Sequence, residues 1–223
     1  MLKICEVIWR RPGMSVEDFQ DHWLHRHGPI VARLPGLRRY VQSHPLPGAY
    51  RKGEPVCDGI AELWLDSKEA LIEASRSPEF AAAKADEPNF VDPSRLVELL
   101  MDEIVIRDQP VPGGSIKIVS LVNYKKGLDA PAARDYWQTT HAPIAAEIEG
   151  LGRYVQSPVR LGAYRKPEPP AYDGLAITWF DDMEAARRSG QCEAFRQTKA
   201  DEANFLEAEL TGTLLTCEHI IVG

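Results

Sequence analysis

Gly36-Leu37-Arg38-Arg39-Tyr40-Val41-Gln42-Ser43 decides the fold, because most of it is written a second time. Gly150-Leu151 and Arg153-Tyr154-Val155-Gln156-Ser157 repeat it 114 residues later. Downstream, Gly48-Ala49-Tyr50-Arg51-Lys52 returns letter for letter as Gly162-Ala163-Tyr164-Arg165-Lys166. After a one-residue insertion, Lys84-Ala85-Asp86-Glu87 and Asn89-Phe90 return as Lys199-Ala200-Asp201-Glu202 and Asn204-Phe205. Upstream, Trp23, His27, Pro29 and Ile30 answer to Trp137, His141, Pro143 and Ile144. So many colinear matches mean a duplication, and a period of this length suits domain-sized copies, not solenoid units. Gln109-Pro110-Val111-Pro112-Gly113-Gly114-Ser115 has linker composition. The chain therefore divides into repeat 1 over 1–109, a linker over 110–115 and repeat 2 over 116–223.

Composition sets the outer bounds. The 223 residues are 44% hydrophobic and 26% charged, with a net charge of −7. That is too apolar for a disordered chain. The acidic balance and dispersed Lys and Arg argue against nucleic acid as a partner. No apolar run approaches the ~20 residues that would cross a bilayer, and the first residues read as a strand, not a leader. Cys5, Cys57, Cys192 and Cys217 form neither a C-x-x-C pair nor a disulfide framework. These features predict a soluble, cytoplasmic protein with reduced thiols.

Each copy reads β-α-β-β-α-β. A strand over Leu2 to Trp9 precedes Ser15, which with Asp18 makes a capping-box pattern for a helix carrying Phe19, Trp23 and His27 on one face. Pro29 bends that helix and Pro35-Gly36 stops it. Strands follow over Arg38 to His44 and Gly59 to Leu65. Asp66 with Glu69, and Asp181 with Glu184, read as caps for the second helix, and the last strand falls near Leu96 to Ile106. This order is the split βαβ, ferredoxin-like arrangement. The fold class predicted is α+β, two ferredoxin-like repeats closing one intrachain barrel, with its lumen as the default ligand site. Fused-repeat chains of this kind can also pair as homodimers.

Phe19, His22-Trp23, His27-Gly28-Pro29 and Leu34-Pro35-Gly36-Leu37-Arg38-Arg39-Tyr40 together resemble the EthD family of the dimeric α+β barrel superfamily. The resemblance spans both copies. Repeat 2 departs from it at Ala133, Tyr136 and Ala142, but keeps Trp137, His141, Pro143 and Tyr154. It implies the barrel fold, and chemistry on a small, mostly apolar substrate without a metal or nucleotide cofactor.

His27 and His141 are the candidate acid/base groups, because a helix-end histidine can pass a proton near neutrality. Tyr40 and Tyr154 share a strand face with Gln42 and Gln156, predicted to point into the lumen, where Tyr can donate to a developing oxyanion. Trp23, Gln42, His44, Glu62, Trp64, Trp137, Gln156 and Trp179 are the substrate-binding candidates; the tryptophans also read as core. Asp86-Glu87 and Asp201-Glu202 oppose the helix dipole, and the expected partners are Arg51, Lys52 and their counterparts. His22, His25 and His27 do not make a convincing metal set, because Tyr136 and Thr139 replace the first two in repeat 2.

The copies differ where His44, Glu62 and Ile104 answer to Pro158, Ile177 and His219. This asymmetry predicts a polar wall of Tyr40, His44 and Glu62 in repeat 1 facing an apolar wall in repeat 2, with repeat 1 doing most of the work. The first functional reading is an enzyme of lyase, decarboxylase or isomerase type acting on a small aromatic or lactone-like molecule. The alternatives are a carrier for a hydrophobic metabolite and an EthD-type oxidoreductase or monooxygenase.

Overall fold

A computed structural model describes residues 1–207 and 212–223. The first repeat runs β1 (Leu2–Ile8), α1 (Val16–His22), a π turn (Trp23–His27), α2 (Gly28–Val31), β2 (Leu37–Pro45), β3 (Gly59–Leu65), α3 (Lys68–Ala74), α4 (Pro78–Asp86), β4 (Val97–Met101) and β5 (Ile104–Asp108). The second runs β6 (Ile116–Val122), α5 (Ala130–Tyr136), a π turn (Trp137–His141), α6 (Ala142–Ala146), β7 (Leu151–Pro158), β8 (Gly174–Phe180), α7 (Met183–Ser189), α8 (Glu193–Glu202) and β9 (Gly212–Val222). The α+β class and the two βαββαβ repeats of the dimeric α+β barrel type are thus present.

Three local readings change. Ser67, not Asp66, caps α3 by accepting from Ala70 N, and Asp182, not Asp181, caps α7 by accepting from Ala185 N. Asp66 is instead clasped by the Arg38 guanidinium at 2.6–3.0 Å. The second helix of each repeat is two helices, because Ser77 and Cys192 start a new one by accepting from Phe80 N and Phe195 N. The last strand of repeat 1 is likewise two pieces, 97–101 and 104–108.

The chain divides into two compact units, Met1–Leu100 with Glu218–Gly223, and Met101–Cys217. Units and sequence repeats are different divisions: β5, at the end of repeat 1, pairs with β7 in unit 2, while the last residues of β9 belong to unit 1. In unit 1 the strand order is β4-β1-β3-β2. Register pairs Ile4 with Leu63 and Glu6 with Ala61, then Tyr40 with Leu63 and Gln42 with Ala61. One face therefore carries Ile4, Glu6, Tyr40, Gln42, Ala61 and Leu63, and the opposite face carries Lys3, Val41, Glu62 and Trp64. Phe19, Trp23, Val31, Ala74 and Ala83 from the helices pack on the first face.

Unit 2 orders its strands β9-β6-β8-β7-β5. Its helix-covered face presents Ile118, Ser120, Tyr154, Gln156, Ala176 and Thr178. Trp23 and Trp137, each 1% exposed, are the largest fully buried side chains. Truncating either would cost about 3–5 kcal/mol.

Candidate functional site

The helix after the first strand changes its hydrogen-bond spacing by a local rule. Pro29 and Pro143 have no backbone N–H, and the ladder loosens just before them: Gly28 N reaches back to Trp23 O, and Ala142 N to Trp137 O, closing π turns. Gln42 Nε2 then donates to Trp23 O at 3.0 Å, and Gln156 Nε2 to Trp137 O at 3.0 Å. The pattern Trp-x-x-x-His-(Gly/Ala)-Pro thus carries its own geometry, with Trp and His both buried.

Each histidine is held by a carboxylate from the following helix pair. His141 Nδ1 lies 2.8 Å from Asp201 Oδ2, and Tyr136 Oη donates to Asp201 Oδ1 at 2.7 Å. Asn204 Nδ2 adds a third bond at 3.0 Å. In unit 1, His27 Nδ1 lies 3.0 Å from Asp86 Oδ2, with His22 Nε2 3.0 Å from Asp86 Oδ1 in the place of Tyr136. This corrects the expected pairing of Asp86 and Asp201 with Arg51, Lys52 and their counterparts. Glu87 and Glu202 pair instead with Lys84 and Lys199, one helical turn away. The signal was available in the sequence, since Lys-Ala-Asp-Glu-x-Asn-Phe and the Trp/His segment recur together.

Burial pushes the His141 imidazole down, and Asp201 pulls the other way without cancelling it, so the ring is neutral near pH 7. Burial works to raise the Asp201 carboxyl, but hydrogen bonds from Tyr136, His141 and Asn204 outweigh it and hold it below the usual range. With Nδ1 committed to Asp201, Nε2 is the nitrogen left for chemistry.

Tyr154 receives Gln156 Nε2 at 2.8 Å, and its twin Tyr40 receives Gln42 Nε2 at 2.9 Å and Trp23 Nε1 at 3.2 Å. Burial pushes the Tyr154 phenol up to about 12, with Gln156 and Trp137 hydrogen bonds opposing. It stays protonated, with its lone pairs engaged, and is therefore a donor.

The expected lumen placement is corrected here. Tyr40, Gln42, Tyr154 and Gln156 point toward the helices, because alternation separates two strand faces without saying which one the helices cover. Glu62, Trp64 and Trp179 lie on the other face. Glu62 is ion-paired with Lys3 at 2.9 Å, while Lys117 and Arg153 stack on Trp179 at 5.2 and 5.1 Å. The polar wall of Tyr40, His44 and Glu62 does not exist, since Glu62 faces away from the other two. His44 stacks on Trp23 at 4.4 Å and its Nε2 lies 3.0 Å from Gln42 Oε1. Among the described residues, no group of three His, Cys, Asp or Glu is placed to hold a metal ion.

Between sheet and helices, unit 2 encloses a cavity of about 340 Å³ lined by Trp137, His141, Tyr154, Phe180, Phe195 and Glu202 among others. The same place in unit 1, beside His27 and Tyr40, holds only about 60 Å³. The difference is read from corresponding positions: Val31, Leu63, Leu71, Glu6 and Glu98 in unit 1 are replaced by Ala145, Thr178, Ala186, Ser120 and Thr213 in unit 2. Ser120 Oγ and Thr213 Oγ1 satisfy each other at 3.0 Å on the cavity floor.

Similarity to other proteins agrees with this fold. The EthD domain model matches residues 11–94 and again 125–209. A protein from the thcB–thcC intergenic region of Rhodococcus erythropolis is 28% identical over 86 residues, covering 38% of this chain and 79% of its own. An anthrone oxidase-like protein superposes with a TM-score of 0.66 at 11% identity, over 99% of this chain and 93% of its own. A candidate monooxygenase from Fusobacterium nucleatum gives 0.62 at 8% identity, over 98% and 92%. At these identities the likeness concerns the fold. The two matched segments, which carry both histidine–aspartate pairs, decide the family: the chain belongs to the EthD domain family and holds two copies of the domain.

Proposed function

We propose that this protein is an enzyme whose working site is the cavity of unit 2, where His141 removes a proton from a small, mostly apolar phenolic or enolisable substrate. The observation that carries this is the His141–Asp201 pair at 2.8 Å on the wall of a cavity of about 340 Å³. Burial keeps His141 neutral and ready to accept a proton, and Asp201 stabilises the imidazolium that results. Tyr154, already accepting hydrogen bonds, gives its own O–H to the oxyanion that develops. Phe180, Phe195 and Trp137 supply the apolar surface for a flat ring.

The anion has two fates. Without net loss of electrons, the anion is reprotonated at another atom, an isomerisation, or its electron pair forms a double bond and expels a leaving group, a lyase reaction. Transfer of its electrons to an external oxidant makes it an oxidation. The names of the structures of similar fold, an anthrone oxidase-like protein and a candidate monooxygenase, favour the second fate. Incubating anthrone with the protein in buffered D₂O and following both deuterium uptake at the acidic carbon and oxygen consumption tests both. Faster exchange with wild type, lost in His141→Ala, supports the proton abstraction; oxygen uptake then selects oxidation. Equal exchange in the two proteins would overturn the role of His141.

A further inference from the structure

A second difference between the units lies away from this cavity. In unit 1, the Arg10 guanidinium sits in a frame of three groups. It is ion-paired with Asp58 Oδ1, its Nη2 reaches Glu54 Oε1 at 2.8 Å, and it lies over the Tyr50 ring at 5.5 Å. Tyr50 Oη donates to Asp58 Oδ1 at 3.0 Å and Arg10 N donates to Asp58 Oδ2 at 2.9 Å. The carboxylate therefore holds a backbone N–H, a phenol and a guanidinium together.

Unit 2 keeps the tyrosine and the carboxylate of this frame, without a guanidinium on the carboxylate. Tyr124 stands where Arg10 stands, and its backbone N donates to Asp173 Oδ2 at 2.6 Å. Tyr164 Oη donates to Asp173 Oδ1 at 2.5 Å. Tyr124, Tyr164 and Asp173 line a groove of about 390 Å³ with the 125–131 segment. Tyr124 is 9% exposed and its Oη is buried with no hydrogen-bond partner among the described residues. Nearby cations are engaged elsewhere: Arg134 pairs with Asp102 at 3.0 Å, and Lys125 Nζ donates to Ala203 O at 3.3 Å.

We infer that the Tyr124–Tyr164–Asp173 groove is a binding site for a guanidinium group, taking from outside the cation that unit 1 supplies as Arg10. The chemistry matches: a planar guanidinium bonds a carboxylate directionally and stacks on an aromatic face. Lys125 and Lys126 line the same groove, which disfavours polycations and suits a guanidino compound with an anionic tail.

The test is calorimetric titration with 4-guanidinobutanoate, using butanoate as the control without the cation. Saturable binding of one 4-guanidinobutanoate per chain is expected, with none for butanoate. Tyr124→Arg restores the internal guanidinium and should weaken binding at least tenfold while the melting temperature holds or rises. Asp173→Asn, which keeps a carbonyl for the Tyr124 N–H, should abolish it and stands in should Tyr124→Arg misfold. A blocked Gly-Arg-Gly peptide titrated in parallel separates the sources, since tighter binding by one assigns the natural ligand to a free compound or an arginine side chain. Absence of saturable binding by either probe, or equal affinity in the variants, overturns the site.

Discussion

Gly174 lies against the Trp137 indole so closely that a Cβ placed on it would fall 2.7 Å from Cζ3. Gly59 stands in the same relation to Trp23. The first residue of β8 is glycine because the ring occupies the volume of any side chain. Gly174→Ala must push Trp137 aside, and overpacking of this kind costs about 1–3 kcal/mol. We expect a melting temperature lowered by several degrees and weaker ligand binding, because Trp137 also lines the cavity. Thermal unfolding with a ligand titration checks both.

His141→Ala is expected to lower kcat/KM about 100-fold, or about 2.7 kcal/mol of transition-state stabilisation. His27→Ala should change it several-fold at most, since the space beside His27 is about 60 Å³. Kinetics of the two variants on one substrate decide the matter. Equal losses would mean that both units work.

The pH profile follows from the direction of the His141 shift. The base form is the neutral ring, and burial places its titration below the ordinary 6.5. Activity should therefore rise with pH along a limb whose midpoint lies under 6.5. Asp201 raises the His141 pKa, so Asp201→Asn should move the midpoint lower still while reducing kcat. A midpoint above 6.5 in wild type would contradict a buried neutral base.

Glu6 gives a stability prediction of opposite sign. Burial, helped by Glu98, pushes its carboxyl from 4.5 up to about 7. Between those values the folded protein keeps a proton that the unfolded chain has released, so Glu6 costs stability as pH rises through this range. Glu6→Gln should be more stable than wild type at pH 8, on the order of 2 kcal/mol, and no more stable at pH 4. Denaturant titrations at both values measure it.

Refilling the unit 2 cavity with unit 1 residues is the steric control. Ala145→Val, Thr178→Leu and Ala186→Leu together should abolish binding of aromatic ligands while the melting temperature holds or rises. Retained binding would place the ligand elsewhere.

Most of the fold was legible in the sequence, and the reasons are local. The Tyr40/Gln42 alternation, the Ser15 cap and the Trp23-to-Pro29 segment each report their own backbone, and duplication states each of them twice. The facing of the strands was not legible, because a period of two defines two faces and leaves their neighbours unnamed. The partners of Asp86 and Asp201 were missed for a related reason. His27 and His141 lie about sixty residues away in the chain, and Arg51 and Lys52, duplicated along with the carboxylates, were the simpler electrostatic answer. The cavity came from five substitutions spread over five elements, each unremarkable when taken alone.

Strand β9 begins in unit 2 and ends in unit 1, where Ile221 and Val222 rest on the core around Phe19 and Trp23 and His219 meets the edge of His44. The half begun first is therefore the last to be completed. Every residue of unit 2 has been made by Cys217, whereas unit 1, begun first, waits for the six residues after it. A released chain that ended at Cys217 would keep every residue of unit 2 and leave the unit 1 core without the cover of Ile221 and Val222.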